Sequence, residues 1–385
     1  MKENDVEPTT IAVNSITNSN NTKTHHKHNN KTFKYPYTSN KDIMSKPFLH
    51  SLILVFIGIL IAFVSQSRNL LTTSLFDSFD VSNNIRYLVY AFMFLLLFLL
   101  SSIHNKFKYK PPKLIYFVIS ILYVINVWIY AYGYTRNHIQ FPCFEYMWSV
   151  VFSILIYTSF HVYKRTHDQL TLLILLSFLI FILSTLLQVV CGYYEKDSMF
   201  KSVYSIKDNA NNALCVVNSI IFTCIYFLYD YAVESIDQLW DAFPYIGGSV
   251  FCVLLLMGVV EEYEDIPGLL RLEWKFVVSY FGITCVGAFL LIIKPFYVKK
   301  CTTVFVCVCA SMEMFICLVC YCVFPLEILE QNQKRIDNFG LYISFGGFIA
   351  GLLLFNYERR RKDITNVKTN TNVVDVDVLT DKLNK

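Results

Sequence analysis

Charge is scarce in this sequence. Only 16% of the 385 residues are Asp, Glu, Lys or Arg, while 55% are hydrophobic. An average soluble domain carries about 25% charged and about 45–50% apolar residues. That balance excludes a disordered chain, a collagen-like chain and a nucleic-acid-binding domain with a basic surface. Catalytic motifs are missing too. There is no Walker loop, no G-x-S-x-G, no H-E-x-x-H and no Ser/His/Asp set on neighbouring segments. The expectation is a protein that is not an enzyme and does not itself spend ATP. No secretory signal opens the chain: residues 1–46 are polar, rich in Asn, Thr and Lys, and include His25, His26 and His28. They read as a disordered tail. Loop cysteines are missing as well. All 12 Cys fall in or at the edge of apolar runs, where they read as small core residues rather than a disulfide framework. Cys317, Cys320 and Cys322 lie close together but have no His and no second C-x-x-C beside them. A zinc site is therefore not expected.

What the chain does have is long apolar runs, with 33 Phe and 26 Tyr among its residues. Ten runs are long enough, at about 1.5 Å per residue, to cross a hydrocarbon core of about 30 Å. They cover 48–66, 86–103, 114–134, 141–161, 169–191, 212–231, 243–260, 275–294, 301–324 and 338–356. The expected fold is an all-α membrane protein of ten transmembrane helices. A cytoplasmic tail over 1–46 precedes a five-helix half over 47–191. A second half over 212–357 and a cytoplasmic tail over 358–385 follow. Five is odd, so the second half enters the membrane inverted, which is a recurrent transporter plan with its site near the midplane. An even span count puts both tails on one side. Lys106, Lys108, Lys110, Lys113, Lys164, Arg165, Lys299, Lys300 and the cluster Arg359 to Lys362 make that side the cytoplasm. Plasma membrane and endomembrane both stay open.

An ionisable side chain at the centre of a membrane helix costs about 2.5–3.5 kcal/mol on insertion scales and marks function by default. Glu145 lies early in the fourth span, beside Phe141, Trp148, Ser149 and Phe152 at helical offsets. It is either a pocket acid or an interfacial one. Glu313 sits near the middle of the ninth span among Cys309, Ala310, Ile316 and Cys317. There it would serve proton coupling or a solute contact, or stand protonated for structure. In the third span Asn126, Tyr130, Gly133 and Tyr134 share one face. They offer hydrogen bonds and stacking area, though aromatic helix packing also makes such stripes. In the sixth span Asn218, Phe222, Tyr226 and Tyr229 form a comparable face that ends beside Asp230, where solvation at a helix end accounts for the acid. Lys294 either snorkels to the interface or contacts an anion. Gly282 and Gly287 permit close packing or a bend in the eighth span.

These residues bear a resemblance. Ser65-Gln66, Ala131-Tyr132-Gly133-Tyr134-Thr135, Cys191-Gly192, Asp230-Tyr231 and Pro295 with Lys299-Lys300, Thr302 and Thr303 follow one another at fixed places along the spans. The chain thereby resembles the drug/metabolite transporter superfamily, and within it the F branch of solute carrier family 35, over 47–357. Glu145 falls where that family carries Asp, and Glu313 lies one residue from another family Asp. Lys294 stands where the family is usually apolar, and the Cys-rich ninth span replaces one rich in Thr, Ser and Asn. The resemblance implies two inverted five-helix repeats, alternating access and no bound cofactor. It does not imply nucleotide sugars. The expected function is secondary transport of a small polar organic solute. The alternative is a non-transporting membrane scaffold or receptor on the same fold. The expected partners are the lipid bilayer, that small-molecule solute and a coupling proton, and not a nucleic acid.

Overall fold

The computed structural model describes residues 40–78, 87–137, 141–164, 170–194, 209–262, 274–312, 315–316, 340 and 342–362. Every regular element among them is a helix. In chain order these are α1 (Asn40–Ser78), α2 (Tyr87–His104), α3 (Leu114–Asn137), α4 (Phe141–Tyr163) and α5 (Leu172–Tyr194). Then come α6 (Asn209–Tyr231), α7 (Ile236–Glu261), α8 (Trp274–Lys300), α9 (Thr303–Ser311) and α10 (342–362). Six of them, α1 to α3 and α6 to α8, contain stretches long and apolar enough to cross a bilayer. The chain is a multi-pass integral membrane protein.

Helix is the form these runs must take, because hydrocarbon offers no partner for backbone N–H and C=O groups. The outward faces are apolar as well. Leu52, Phe56 and Leu60 on α1, Leu256 and Val260 on α7, and Val278 and Phe281 on α8 are exposed apolar side chains. A water-soluble protein rarely exposes such continuous faces. Polar residues act at the helix ends. Ser235 caps α7 by accepting from the Gln238 N–H at 3.3 Å, and Gln238 Oε1 accepts from the Glu234 N–H at 3.0 Å. Thr302 caps α9 by accepting from the Phe305 N–H at 3.3 Å. The Ser235 and Thr302 side chains each satisfy an N–H group that a helix start leaves unpaired.

Helix lengths differ from the apolar runs at several ends. α1 continues to Ser78 rather than stopping at 66, α7 starts at Ile236 rather than 243, and α8 runs on through Pro295 to Lys300. In each case the extra turns mix polar or charged residues with apolar ones, so an uninterrupted apolar run does not extend into them. Within the ninth run, helix is described over Thr303–Ser311 and again at 315–316. The cluster Cys317, Cys320 and Cys322 lies outside the described residues, as do both tails apart from short stretches at their edges. Cys215, Cys224, Cys252, Cys285, Cys301, Cys307 and Cys309 are free thiols.

Packing is pairwise. α2 lies along α7, α3 packs on both α6 and α7, and α8 packs on both α1 and α2. α4 packs on α6 and α9. α5 and α10 meet where Ser344 Oγ donates to the Ser184 carbonyl at 2.8 Å, and Phe178 and Phe355 rings lie 5.8 Å apart. The core runs through the middle of these pairs: Phe94 and Leu97 on α2, Ile119 on α3, Tyr229 on α6, and Leu239, Phe243 and Val250 on α7 are fully buried. α2 and α7 approach each other tightly at Gly247. A Cβ there would lie 2.8 Å from the Phe98 backbone nitrogen and 3.0 Å from the Phe94 carbonyl oxygen, so only glycine permits this approach.

Candidate functional site

One cavity inside the bundle is lined by residues of five helices. α1 gives Ser65, Arg68 and Asn69, and α2 gives Tyr90 and Met93. α3 gives Tyr123, Asn126, Val127 and Tyr130. α6 gives Phe222, Ile225 and Tyr226, and α8 gives Gly287, Leu290, Leu291 and Lys294. Its volume is about 120 Å³, room for a few waters or one polar group rather than a drug-sized ligand.

The wall is polar and ordered by mutual contacts. Asn126 Nδ2 donates to Asn218 Oδ1 at 2.9 Å, joining α3 to α6. The Asn218 Nδ2 is itself buried without a hydrogen-bond partner. Lys294 Nζ donates to Ser65 Oγ at 3.2 Å, joining α8 to α1. The Arg68 guanidinium sits 5.8 Å from the Tyr90 ring centre, within cation–π reach. Its Nη1 lies 3.3 Å from Asn69 Oδ1 and its Nη2 lies 2.9 Å from Met93 Sδ, a weak acceptor. The Arg68 Nε is buried and has no partner. Tyr90 meets Tyr130 edge-on at 5.9 Å. The glycine at 287 makes room for all this: a Cβ there would stand 2.6 Å from Met93 Cε and 3.1 Å from Arg68 Nε.

Charge in the cavity is of one sign. Arg68 and Lys294 line it, and no carboxylate does among the described residues. The nearby acids are engaged elsewhere. Glu262 accepts from the Tyr87 N–H at 2.6 Å and the Leu88 N–H at 3.2 Å. Asp230 Oδ2 accepts from the Thr303 N–H at 2.9 Å and from Thr303 Oγ1 at 3.1 Å. Asp230 is thus not a solvated end residue: it is half-buried and anchors the start of α9. Among the described residues no group of three His, Cys, Asp or Glu could hold a metal ion.

The sequence candidates divide cleanly. Asn126, Tyr130, Tyr226 and Lys294 line this cavity, and Asn218 is bonded to Asn126. Lys294 is half-buried, and its ammonium reaches Ser65 on the neighbouring helix. Gly133 and Tyr134 lie on α3 and Glu145 on α4, but their side chains are outside the described residues. Glu313 lies outside them altogether. Ser65, Arg68, Asn69, Tyr90 and Met93 were not foreseen as site residues. Arg68 could have been found: it comes one turn after the polar Ser65-Gln66 pair, at the end of an otherwise apolar run. Because the apolar run ends at 66, Arg68 reads as a loop residue. No family model matches this chain, and comparison with curated proteins finds no match.

Proposed function

We propose that this protein is a secondary transporter of a small organic solute whose polar part occupies the central cavity. The observation that carries this reading is the cavity itself, a polar, positively lined space buried in a membrane protein and walled by helices from both halves of the chain. Intramembrane polar groups that face a shared cavity mark solute pathways.

The helix pairing supports the ten-span, inverted-repeat part of the proposal. Two repeats of five helices related by a two-fold axis exchange α1 with α6, α2 with α7, and so on. Under that exchange the pairs α2/α7, α4/α9 and α5/α10 map onto themselves. The α3/α6 pair maps onto α8/α1, and α3/α7 maps onto α8/α2. All of these contacts are present. In this reading both tails are cytoplasmic, and the halves rock about the cavity to expose it to each side in turn. The resemblance to the F branch of solute carrier family 35 points the same way.

The modest cavity volume favours one rival, a receptor or scaffold that keeps the fold without carrying anything. Two measurements separate them. The purified protein is screened by thermal unfolding against nucleosides, nucleobases, vitamins and organic acids, since a ligand of the folded state raises its melting temperature. Each hit is then tested for counterflow uptake in proteoliposomes. The expected result is a hit that is taken up, with binding lost in Asn126→Ala and in Lys294→Ala. A folded protein that binds a hit and never moves it would establish the receptor reading instead.

A further inference from the structure

Arg68 belongs to two cavities. Besides the central one, it lines a groove between α1 and α8 walled by Phe63, Val64, Leu71, Leu75, Ile283 and Val286. The groove encloses about 580 Å³, within the roughly 300–1,000 Å³ of ordinary small-molecule sites. From Phe63 to Leu75 it follows α1 for about 18 Å, the reach of a long acyl chain. Its rim is exposed: Phe63 is 38%, Leu71 57% and Val286 37% exposed. Ser67, Ser279 and Arg68 are the polar or charged side chains in its lining, and no carboxylate is among them. Gly282 forms part of the wall, with nothing within 4 Å of the place a Cβ would take.

Two spaces that meet at one arginine call for a ligand of two chemistries. On the cavity side, the buried Arg68 Nε–H has no acceptor and Lys294 lines the same space. A buried donor without a partner is unfavourable, and an oxyanion there would gain charge-assisted hydrogen bonds. On the groove side the lining is mostly apolar side chains, and an apolar chain is the matching occupant. We propose that this site binds an amphiphilic oxyanion, with its acidic head between Arg68 and Lys294 and its single apolar chain in the α1/α8 groove. Such a ligand enters sideways from the bilayer rather than from water. As a statement of what is carried, the proposal rests on the transporter reading; as a statement of what is bound, it stands alone. A neutral annular lipid tail would fill the groove too, but it would take no account of Arg68.

The test uses the full chain in phosphatidylcholine nanodiscs, titrated with hexadecyl phosphate, butyl phosphate and hexadecanol, with thermal unfolding as the readout. Hexadecyl phosphate should raise the unfolding temperature well above the effect of the other two. Arg68→Gln should weaken its binding by about tenfold or more, and Arg68→Lys should recover part of the loss. Gly282→Leu, which fills open space and adds a good helix former, should weaken binding while the protein stays folded. An equal response to butyl phosphate would remove the groove from the site. An equal response to hexadecanol, or unchanged binding in Arg68→Gln, would remove the arginine, and either result overturns the proposal. Selective binding of hexadecyl phosphate without any flux in proteoliposomes would overturn the transporter reading and leave this site standing. Flux of a water-soluble solute with no such binding would do the reverse.

Discussion

At one end of the α2/α7 pair the tie is a single buried carboxylate, and at the other it is a set of exposed contacts. Glu262, 2% exposed, follows the last turn of α7 and accepts from the first two N–H groups of α2. α2 has no acid of its own in its first turn. The neighbouring helix therefore supplies the negative charge that a helix start favours. At the far end Lys110 pairs with Asp241 at 2.8 Å, with side chains 71% and 14% exposed. Around that pair Asn105 Nδ2 donates to the Trp240 carbonyl at 2.8 Å, His104 stacks on Trp240 at 3.9 Å, and the Tyr245 hydroxyl donates to the Lys110 carbonyl. The turn that brings these groups together holds Lys106 and Phe107 at φ 53° and 56°, a left-handed conformation that costs roughly 1–2 kcal/mol per residue. Both ends join the same two helices. Burial makes the first a strong local link, while exposure makes the second a sum of small terms working against backbone strain.

The difference bears on the proposed transport cycle. The central cavity lies next to the Glu262 end, since Tyr90 lines it one turn beyond Tyr87. If the halves rock, the Glu262 end is the one that must part to let solute reach the cavity by that route. The Lys110 end parts at lower cost.

The largest effect should come from the point both ends depend on. Gly247→Leu would drive a side chain into the Phe98 backbone, which cannot turn aside as a side chain would. Overpacking costs about 1–3 kcal/mol where side chains can shift and more where they cannot. We expect loss of the monodisperse folded protein on size-exclusion chromatography. A well-folded Gly247→Leu would mean that α2 and α7 are not held in one frame, and the comparison of their ends would lose its basis.

Next comes Glu262→Ala. Two N–H groups at the start of α2 lose a charged acceptor, at a cost of about 2–3 kcal/mol. The thermal unfolding temperature should fall, and the fall should change little between low and high salt because the carboxylate is buried. Glu262→Gln keeps one acceptor oxygen and should lose less. On the transporter reading, either variant should also make a cysteine placed at Tyr90 easier to label from the Glu262 side. Destabilisation without any change in labelling would leave Glu262 a cap and not a gate.

Very different amounts of this architecture can be read in the sequence. The helices that cross the membrane are legible because hydrocarbon allows one backbone form and tolerates few charges. Their ends are less so: between 67 and 78 and between 236 and 242 polar residues interrupt the apolar ones, and the broken run reads as loop. Asn126 and Asn218 each stand out on their own helix. That they bond to each other across α3 and α6 is a tertiary fact with no trace in either periodicity. Lys294 is visible as an oddity, while its direction toward Ser65 depends on how α8 is rotated against α1. Arg68 is hidden by its place at the edge of a hydrophobic run. Glu262 is hidden among Glu261, Glu264 and Asp265, all of which look like solvated acids at a membrane surface. Burial, which decides what each of these groups does, is set by neighbours far away in the chain.

The smallest effect is expected at the exposed end, and there the physics of the pair can be read from its response to conditions. The hydrogen bond to Asp241, and then that residue's charge, hold the Lys110 ammonium above its ordinary pKa. A raised lysine pKa means that the folded state binds the proton more tightly than the unfolded one. The pair's contribution is therefore complete at neutral pH and disappears only as pH climbs through the folded value, above the usual lysine range. Salt acts differently. Screening shortens from about 10 Å at 0.1 M to about 3 Å at 1 M and weakens an exposed pair at every pH. Lys110→Ala should thus lower the unfolding temperature slightly at low salt and leave it unchanged at high salt. The other contacts of Trp240 and Tyr245 would hold the turn in place. A loss as large as that of Glu262→Ala, and as indifferent to salt, would show that exposure does not set the strength of this end. Both ends would then have to be treated as locks, and rocking of the halves would have no easy side on which to begin.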